Sequence, residues 1–75
     1  MQYLVIIEGD GATGYGAYVP DLPGCIAATE TREEVEQLIR EAVPFHLEGM
    51  AEVGEPIPPA TSRAITVDVT IPVAA

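Results

Sequence analysis

Three short hydrophobic runs in the N-terminal part of the chain predict three β-strands. The first run, Gln2 to Glu8, is apolar on both alternating faces, a pattern typical of a strand covered on both sides and therefore of a central strand. A glycine-rich turn at Gly9 to Gly14 separates it from a second strand at Tyr15 to Pro20, and residues 25–29 make a third. The second strand alternates, with Tyr15, Ala17 and Val19 on one face and Gly16 and Tyr18 on the other.

The stretch VPDLPGC, Val19 to Cys25, lies between the second and third strands and predicts a turn. Proline fixes φ and glycine supplies backbone freedom, so this composition is typical of a chain reversal. The aspartate is expected to organise the turn through hydrogen bonds to its own local backbone. We interpret the stretch as structural rather than reactive, and the residues that define it are Asp21, Pro23, Gly24 and Cys25.

An amphipathic pattern predicts one helix from Thr31 to about Glu52. Thr31 and Glu34 form a capping box, in which the threonine hydroxyl accepts a hydrogen bond from the backbone N–H of Glu34. The apolar stripe consists of Val35, Leu38, Ile39, Ala42, Val43, His46 and Met50. The outer side carries Glu33, Gln37, Arg40, Glu41, Glu48 and Ala51. Pro44 lies opposite the apolar stripe, so the carbonyl of Arg40 that loses its donor can be hydrated and the helix can bend over the sheet.

The C-terminal third predicts a return of the chain and one further strand. Gly54 is expected to end the helix, and the proline-rich stretch to Ser62 is expected to be extended. Residues 64–71, AITVDVTI, then alternate between apolar and polar side chains, which is typical of a half-exposed strand. The side chains that share its apolar face are Ile65, Val67, Val69 and Ile71.

These elements predict a two-layer α+β fold in the order β-β-β-α-β, with residues 1–75 as a single domain. If the first three strands alternate in direction and the helix makes a right-handed crossover, the fourth strand lies parallel to the first. The result is one helix on a mostly antiparallel four-stranded sheet of order 3-2-1-4. Because one helix covers only one sheet face, the other face, with its Tyr and Ile side chains, is expected to pack against another copy in a dimer or tetramer.

Length and charge limit the classes of function. A chain of 75 residues buries only about 60% of its unfolded surface, so its core is thin and help from a partner subunit is expected. Twelve acids against three arginines and no lysine give a net charge of −9, which repels phosphate backbones and attracts basic surfaces. Direct binding to nucleic acid is therefore not expected. Solubility alone could also explain the charge, but eight of the acids lie in residues 30–55, and this concentration favours a basic partner.

Candidate catalytic and metal-binding groups are few. A metal-dependent nuclease needs several carboxylates that converge, and the acids in the strand regions are Glu8, Asp10, Asp21 and Asp68. A hydrolase is thus a weak hypothesis. His46 has no second histidine or cysteine at a suitable helical spacing, so a core or interface histidine is favoured over a base or ligand. Cys25 has no neighbouring cation to lower its pKa and is expected to be a buried thiol. No cofactor is expected.

Nothing in the sequence predicts export or insertion into a membrane. One cysteine cannot form an internal disulfide, and the N-terminus does not combine basic residues with a long apolar core. The longest apolar run, Tyr3 to Ile7, is far shorter than the ~20 residues of a membrane helix. The expected compartment is a reducing cytoplasm.

Taken in order, the segments YLVIIE, YGAYVPDLPGC, TREEVEQLIREAVPFHLEG and GEPIPP resemble the HicB-like antitoxin family, the small domain found with HicA toxins. The resemblance spans nearly the whole chain. Its most specific parts are DLPGC, followed six residues after the cysteine by Thr31, and the GEPIPP exit from the helix.

This resemblance implies a reduced RNase H-like fold that lacks the catalytic acids and acts by binding rather than as an enzyme. Such an antitoxin neutralises a small basic HicA-type RNase by covering its active site. The contact residues would then lie on the acidic helix: Glu33, Glu36, Arg40, Glu41 and Glu48. Many family members carry a C-terminal DNA-binding segment, whereas only PVAA follows Ile71, so operator binding is not expected.

A stand-alone homo-oligomer without a toxin partner is the alternative hypothesis. In that case a small ligand would bind in a groove between subunits, near Tyr15, Tyr18 and His46. Co-expression with the protein of the neighbouring reading frame distinguishes the two hypotheses.

Overall fold

The computed structural model describes residues 1–73, and it consists of three β-strands followed by one α-helix. The strands are β1 (Ile6–Asp10), β2 (Gly14–Tyr18) and β3 (Ile26–Thr29), and the helix α1 is Arg32–Glu52. The strands form an antiparallel sheet in the order β1-β2-β3. The helix packs mainly on β3 and β2 and touches β1 least.

The hairpin between β1 and β2 is tighter than the predicted turn at residues 9–14. Gly9 pairs with Tyr15 and Asp10 pairs with Gly14, so only residues 11–13 form the loop. Gly9 has a φ of 126°, a conformation that favours glycine. The carboxylate of Asp10 accepts hydrogen bonds from the backbone N–H groups of Ala12 at 2.9 Å and Thr13 at 2.8 Å. These bonds close the loop locally.

The helix confirms the predicted boundaries. Thr31 is the N-cap, with extended φ and ψ, and its hydroxyl accepts from the backbone N–H of Glu34 at 3.2 Å. Pro44 lies inside the helix and is exposed to solvent, as its position opposite the apolar stripe predicts. At the other end, Gly54 has a φ of 75° and its N–H donates to the carbonyl of Ala51, which ends the helix.

The core is small and lies between the sheet and the helix. Its buried members are Ala17, Val19, Leu22, Cys25, Val35 and Ile39. Leu22 and Val35 are fully buried. Leu22 lies in the turn between β2 and β3, so this turn also supplies a side chain to the core, which its sequence does not predict. Leu38, placed on the apolar stripe, is 41% exposed, whereas Leu47 packs against the core in its place.

The predicted fourth strand is wrong. The sheet has three strands, not four in the order 3-2-1-4, and residues 63–73 make no sheet pairing. β1, which the sequence predicts to be central, therefore lies at an edge of the sheet. The physical reason is that alternation indicates which side chains would share a face in a paired strand, but it contains no information on where the partner edge lies.

Candidate binding surfaces

The turn between β2 and β3 is closed by its own backbone. The N–H of Val19 donates to the carbonyl of Cys25 at 3.3 Å, and the N–H of Cys25 donates to that of Leu22 at 3.1 Å. Gly24 has a φ of 87°, so glycine is required at this position. The interpretation of this stretch as a structural reversal agrees with these bonds.

The local backbone hydrogen bonds predicted for Asp21 are wrong, since within residues 1–73 its side chain bonds to Thr61 and Ser62 instead. Its carboxylate accepts from the backbone N–H groups of Thr61 at 2.9 Å and Ser62 at 2.8 Å, and from the hydroxyl of Ser62 at 2.7 Å. The pKa of Asp21 lies below its ordinary value, mainly because the hydrogen bonds from Ser62 stabilise the charged carboxylate. We call this contact the Asp21 tether, because it fixes a segment forty residues further along the chain.

Cys25 is a free thiol that is buried in the core. Its side chain is 3% exposed and belongs to the core. Burial raises the pKa of the thiol, because the charged thiolate is poorly solvated there. The sequence prediction of a small buried thiol is confirmed.

An open apolar groove lies between the β2–β3 turn and the second half of the helix. Its cavity volume is about 650 Å³. We call it the Phe45 groove, and its main lining residues are Pro23, Ile26, Phe45, His46, Met50 and Val53. Phe45 is 78% exposed, Ile26 71% and Val53 70%. Exposed apolar side chains grouped in this way mark a contact surface for another molecule.

The structure does not bring Tyr15, Tyr18 and His46 together within one chain. Tyr15 packs against the core, whereas Tyr18 lies on the opposite face of the sheet. His46 lines the Phe45 groove, beside Gly24. Any ligand site that uses all three would have to be completed by a second chain.

The outer side of the helix is acidic and exposed. Arg40 and Glu36 form an ion pair at 2.9 Å, and this hydrogen bond, with the charge of the guanidinium, lowers the pKa of Glu36. Gln37 donates to Glu41 at 3.0 Å. Within residues 1–73 no ion pair or side-chain hydrogen bond engages Glu33 or Glu48. Most of the negative charge on this side is therefore available to a partner.

The face of the sheet opposite the helix is uncovered. The register places Ile6, Tyr18 and Ile26 side by side across the three strands, while the neighbouring row, Ile7, Ala17 and Ala27, points into the core. Tyr18 is 42% exposed. We call this row the sheet-face row. Ile26 belongs to both this row and the Phe45 groove.

The strand-region acids do not converge on one point. Asp21 bonds to Thr61 and Ser62, and Asp10 bonds within its own loop. Among residues 1–73 no group of three or more His, Cys, Asp or Glu side chains is arranged to hold a metal ion. In the same part of the chain, no helix is long and apolar enough to span a membrane.

Sequence reasoning missed the Asp21 tether and the Phe45 groove. The tether leaves no periodic signal, since its partners are far apart in sequence and of ordinary polar type. Phe45 does leave a signal, because it follows Pro44 on the polar side of the helix, where a large apolar residue has no core to fill. An aromatic residue at such a position indicates a binding surface.

Comparisons with known proteins support one family. The family model described as "HicB_like antitoxin of bacterial toxin-antitoxin system" matches residues 3–71. A UPF0150 protein of Thermoplasma acidophilum is 37% identical over 67 residues, which cover 89% of this chain and 97% of that protein. A UPF0150 protein of Synechocystis is 36% identical over 57 residues, 76% of this chain and 72% of that protein.

A longer relative comes from a bacteriophage. An uncharacterized 14.9 kDa protein from the rep-hol intergenic region of Haemophilus phage HP1 is 47% identical over 58 residues. The match covers 77% of this chain but only 43% of the phage protein. The chain therefore spans less than half the length of this relative.

Proposed function

Because this chain belongs to the HicB-like antitoxin family of bacterial toxin-antitoxin systems, we propose that it neutralises a small, basic HicA-type RNase by covering the active site of that toxin. Membership in this family implies a role in a toxin-antitoxin system in general. The more specific proposal, a HicA-type partner and a non-catalytic mechanism, rests on the surfaces of the chain. We place this activity in the cytoplasm, where a single reduced cysteine is typical.

The acidic outer side of the helix is the observation that carries the proposal. A basic RNase binds RNA through positive charge, and a negative surface that competes with RNA must present several acids within one contact area. Glu33, Glu41 and Glu48 are exposed along one side of a single helix. Complementary charge of this kind raises the association rate and orients the partner.

The Phe45 groove supplies the apolar contact area that a stable interface needs in addition to complementary charge. Stable interfaces combine a desolvated apolar centre with a polar rim, and aromatic side chains often dominate the binding energy. Phe45 is exposed and lies on the helix between Glu41 and Glu48, about one turn from each of them. We therefore place the toxin along the helix from Glu33 to Glu48, with Phe45 as its main apolar contact.

The ion pair of Glu36 and Arg40 has a supporting role in this proposal. Arg40 neutralises Glu36, whose pKa it lowers, so the pair adds little net charge to the contact surface. Exposed pairs of this type contribute little to stability. We expect Glu36 and Arg40 to lie at the rim of the contact surface, whereas Glu33, Glu41 and Glu48 supply the negative charge of that surface.

Co-expression with the protein of the neighbouring reading frame tests the proposal. The wild-type chain is expected to restore growth to cells that produce the toxin, and to be captured with it in a pull-down. The double variant Glu41→Lys, Glu48→Lys is expected to lose both effects, because it places positive charge against a basic partner. Phe45→Ala is expected to weaken capture without changing the net charge.

A matched control separates local charge from total charge. The variant Glu8→Lys, Glu30→Lys has the same change in net charge, but its substitutions lie on exposed residues outside the outer helix side. It should still rescue growth. If no neighbouring protein binds the chain, or if both double variants rescue equally well, this function is incorrect.

Self-association through the sheet-face row is a second candidate, which holds with or without a toxin. The uncovered row of Ile6, Tyr18 and Ile26 favours it, since an apolar sheet face requires a cover. Light scattering is expected to show a dimer or tetramer that Tyr18→Glu weakens and Ala12→Glu, in the exposed hairpin loop, does not. A monomeric mass at micromolar concentrations would exclude it.

A further inference from the structure

The C-terminal segment has the pattern of a strand but no strand beside it. Residues 64–71 alternate between apolar and polar side chains. The apolar members are strongly exposed: Ile65 at 84%, Val67 at 71%, Val69 at 70% and Ile71 at 76%. Four aliphatic side chains on one face of an unpaired segment form a surface that a partner strand and a core must cover.

The strand β1 lies at an edge of the sheet and, within residues 1–73, has no neighbouring strand on one side. The run Tyr3 to Ile7, which leads into β1, is apolar on both alternating faces, as in a central strand, yet β1 lies at the edge of the sheet. The residues that precede it, Tyr3 to Val5, are half-buried but make no sheet pairing. The free edge along Tyr3 to Asp10 therefore has backbone donors and acceptors for one more strand.

A cavity lies beside this free edge, because the helix packs mainly on β2 and β3. Its volume is about 370 Å³. We call it the β1 groove. Its apolar lining is Tyr3, Leu4, Val5, Ile7, Ile39 and Val43, and the charged side chains of Arg32, Glu36 and Arg40 also line it. An apolar cavity of about 150 Å³ holds one benzene molecule, so the β1 groove has room for two or three aliphatic side chains.

We propose that residues 64–71 of one copy add as a strand to the free edge of β1 in a second copy, and that the second copy returns the same contact. The apolar face of the segment, from Ile65 to Ile71, fills the β1 groove of the partner. The polar side chains Thr66, Asp68 and Thr70 then face away from the core. Each chain keeps its own three-stranded sheet and receives its additional strand from the partner copy.

The Asp21 tether supports a second copy as the occupant. It fixes Thr61 and Ser62 against the β2–β3 turn, and beyond Ser62 the chain extends outward. The radius of gyration is 15.8 Å, with a longest dimension of 59 Å, whereas a compact domain of this length has a radius of about 11 Å. The exit of the segment is thus fixed, and the segment projects away from its own sheet.

Surface area leads to the same conclusion. The chain exposes 5988 Å², whereas a compact monomer of 7.9 kDa exposes about 4,400 Å². The excess is about 1,600 Å² for each copy, and a stable interface buries about 1,200–2,000 Å² in total from both partners. Two copies therefore have more than enough excess surface to form a stable dimer by exchanging these segments.

This exchange is a route of self-association separate from the sheet-face row, and it does not depend on whether the chain binds a toxin. Substitutions in two separate places distinguish the routes of association. The exchange uses the C-terminal segment and the β1 edge, whereas the other route uses the sheet-face row at Tyr18.

The first test compares two full-length double variants by light scattering. Val67→Lys, Val69→Lys puts two charges on the apolar face, and the dissociation constant is expected to rise at least about 100-fold, because two apolar contacts are lost and the new charges lie near Arg32 and Arg40 of the groove. Thr66→Lys, Thr70→Lys adds the same charge to the same segment on the polar face, and its mass should match that of the wild type. Equal masses for both variants, or a monomeric wild type, would overturn the exchange.

The second test identifies the chain that receives the segment. In a Cys25→Ala background, Leu4→Cys and Asp68→Cys place thiols on the β1 edge and on the segment, and a short bismaleimide joins them when they are close. The exchange predicts a covalent dimer in denaturing gels. A monomer with an internal cross-link would show that the segment binds its own chain and would overturn the proposal. A monomeric mass for Tyr18→Glu would also overturn it, because association would then depend on the sheet-face row.

Discussion

Asp21 lies in a proline-rich turn, yet it determines the position of a distant segment. Its carboxylate accepts from two consecutive backbone N–H groups, those of Thr61 and Ser62. A carboxylate that accepts several N–H bonds is stabilised in its charged form, which is why the pKa of Asp21 lies below its ordinary value of 3.8. The side chain of Asp21 therefore fixes the point at which the C-terminal segment leaves the sheet and helix.

Replacement of Asp21 by asparagine is expected to release residues 61 and 62. The amide side chain retains one carbonyl oxygen, so it cannot accept all the bonds that the carboxylate accepts. Amide hydrogen exchange at Thr61 and Ser62 should become faster than in the wild type. Asp10→Asn is the control, because among residues 1–73 Asp10 accepts only from its own loop. Unchanged exchange in Asp21→Asn would contradict the tether.

The tether also has a predicted pH dependence. Because the pKa of Asp21 is lowered in the folded chain, its contribution to stability is complete above the ordinary value of 3.8 and is lost as the pH falls below that value. Exchange at Ser62, corrected for its intrinsic pH dependence, should therefore lose protection only in this acidic range. In Asp21→Asn this change should be absent. Loss of protection between pH 5 and pH 7, far above the relevant range, would contradict the assignment.

Gly9 provides a test of the hairpin geometry. Its φ of 126° and the position of the Gly14 carbonyl leave no room for a Cβ atom. Gly9→Ala is therefore expected to reduce the free energy of unfolding by more than about 2 kcal/mol. Gly11→Ala, where no atom lies within 4 Å of the added Cβ, should change it by less than about 0.5 kcal/mol. Chemical denaturation measures both, and equal effects would contradict the register of the hairpin.

At the scale of elements, local signals located the helix and the three paired strands. The capping box at Thr31 and Gly54 after the last turn are short-range features, and both ends of the helix are where they predict. β1 is displaced toward Asp10 because its pairing with β2 extends to Gly14. The predicted fourth strand failed because pairing depends on a distant edge, about which the alternation of residues 64–71 says nothing.

The helix cap gives a prediction at this scale. Thr31→Ala removes the acceptor for the backbone N–H of Glu34 and is expected to lower the free energy of unfolding by about 1 kcal/mol. Thr31→Ser keeps the hydroxyl and should preserve most of the stability. Denaturant titration followed by circular dichroism measures the difference. If serine and alanine are equally destabilising, the hydroxyl of Thr31 does not stabilise the helix.

The whole molecule exposes more surface than a compact monomer of the same mass. The Phe45 groove, the sheet-face row and the C-terminal segment are all apolar and exposed, while the outer helix side is acidic. The acidic character of the outer helix side could be predicted from the sequence, because charge concentration is a local property. The groove could not, since the turn residue Pro23 and the helix residue Phe45 meet only in the folded chain.

The function proposed for this chain is the inhibition of a basic RNase through the acidic helix side and the Phe45 groove. The most direct measurement titrates the purified chain into an RNA-cleavage reaction of the toxin encoded by the neighbouring reading frame. We expect the wild type and Glu8→Lys, Glu30→Lys to stop cleavage at similar concentrations, and Glu41→Lys, Glu48→Lys to require at least about tenfold more. Undiminished cleavage with excess wild-type chain, or equal inhibition by both double variants, would contradict it.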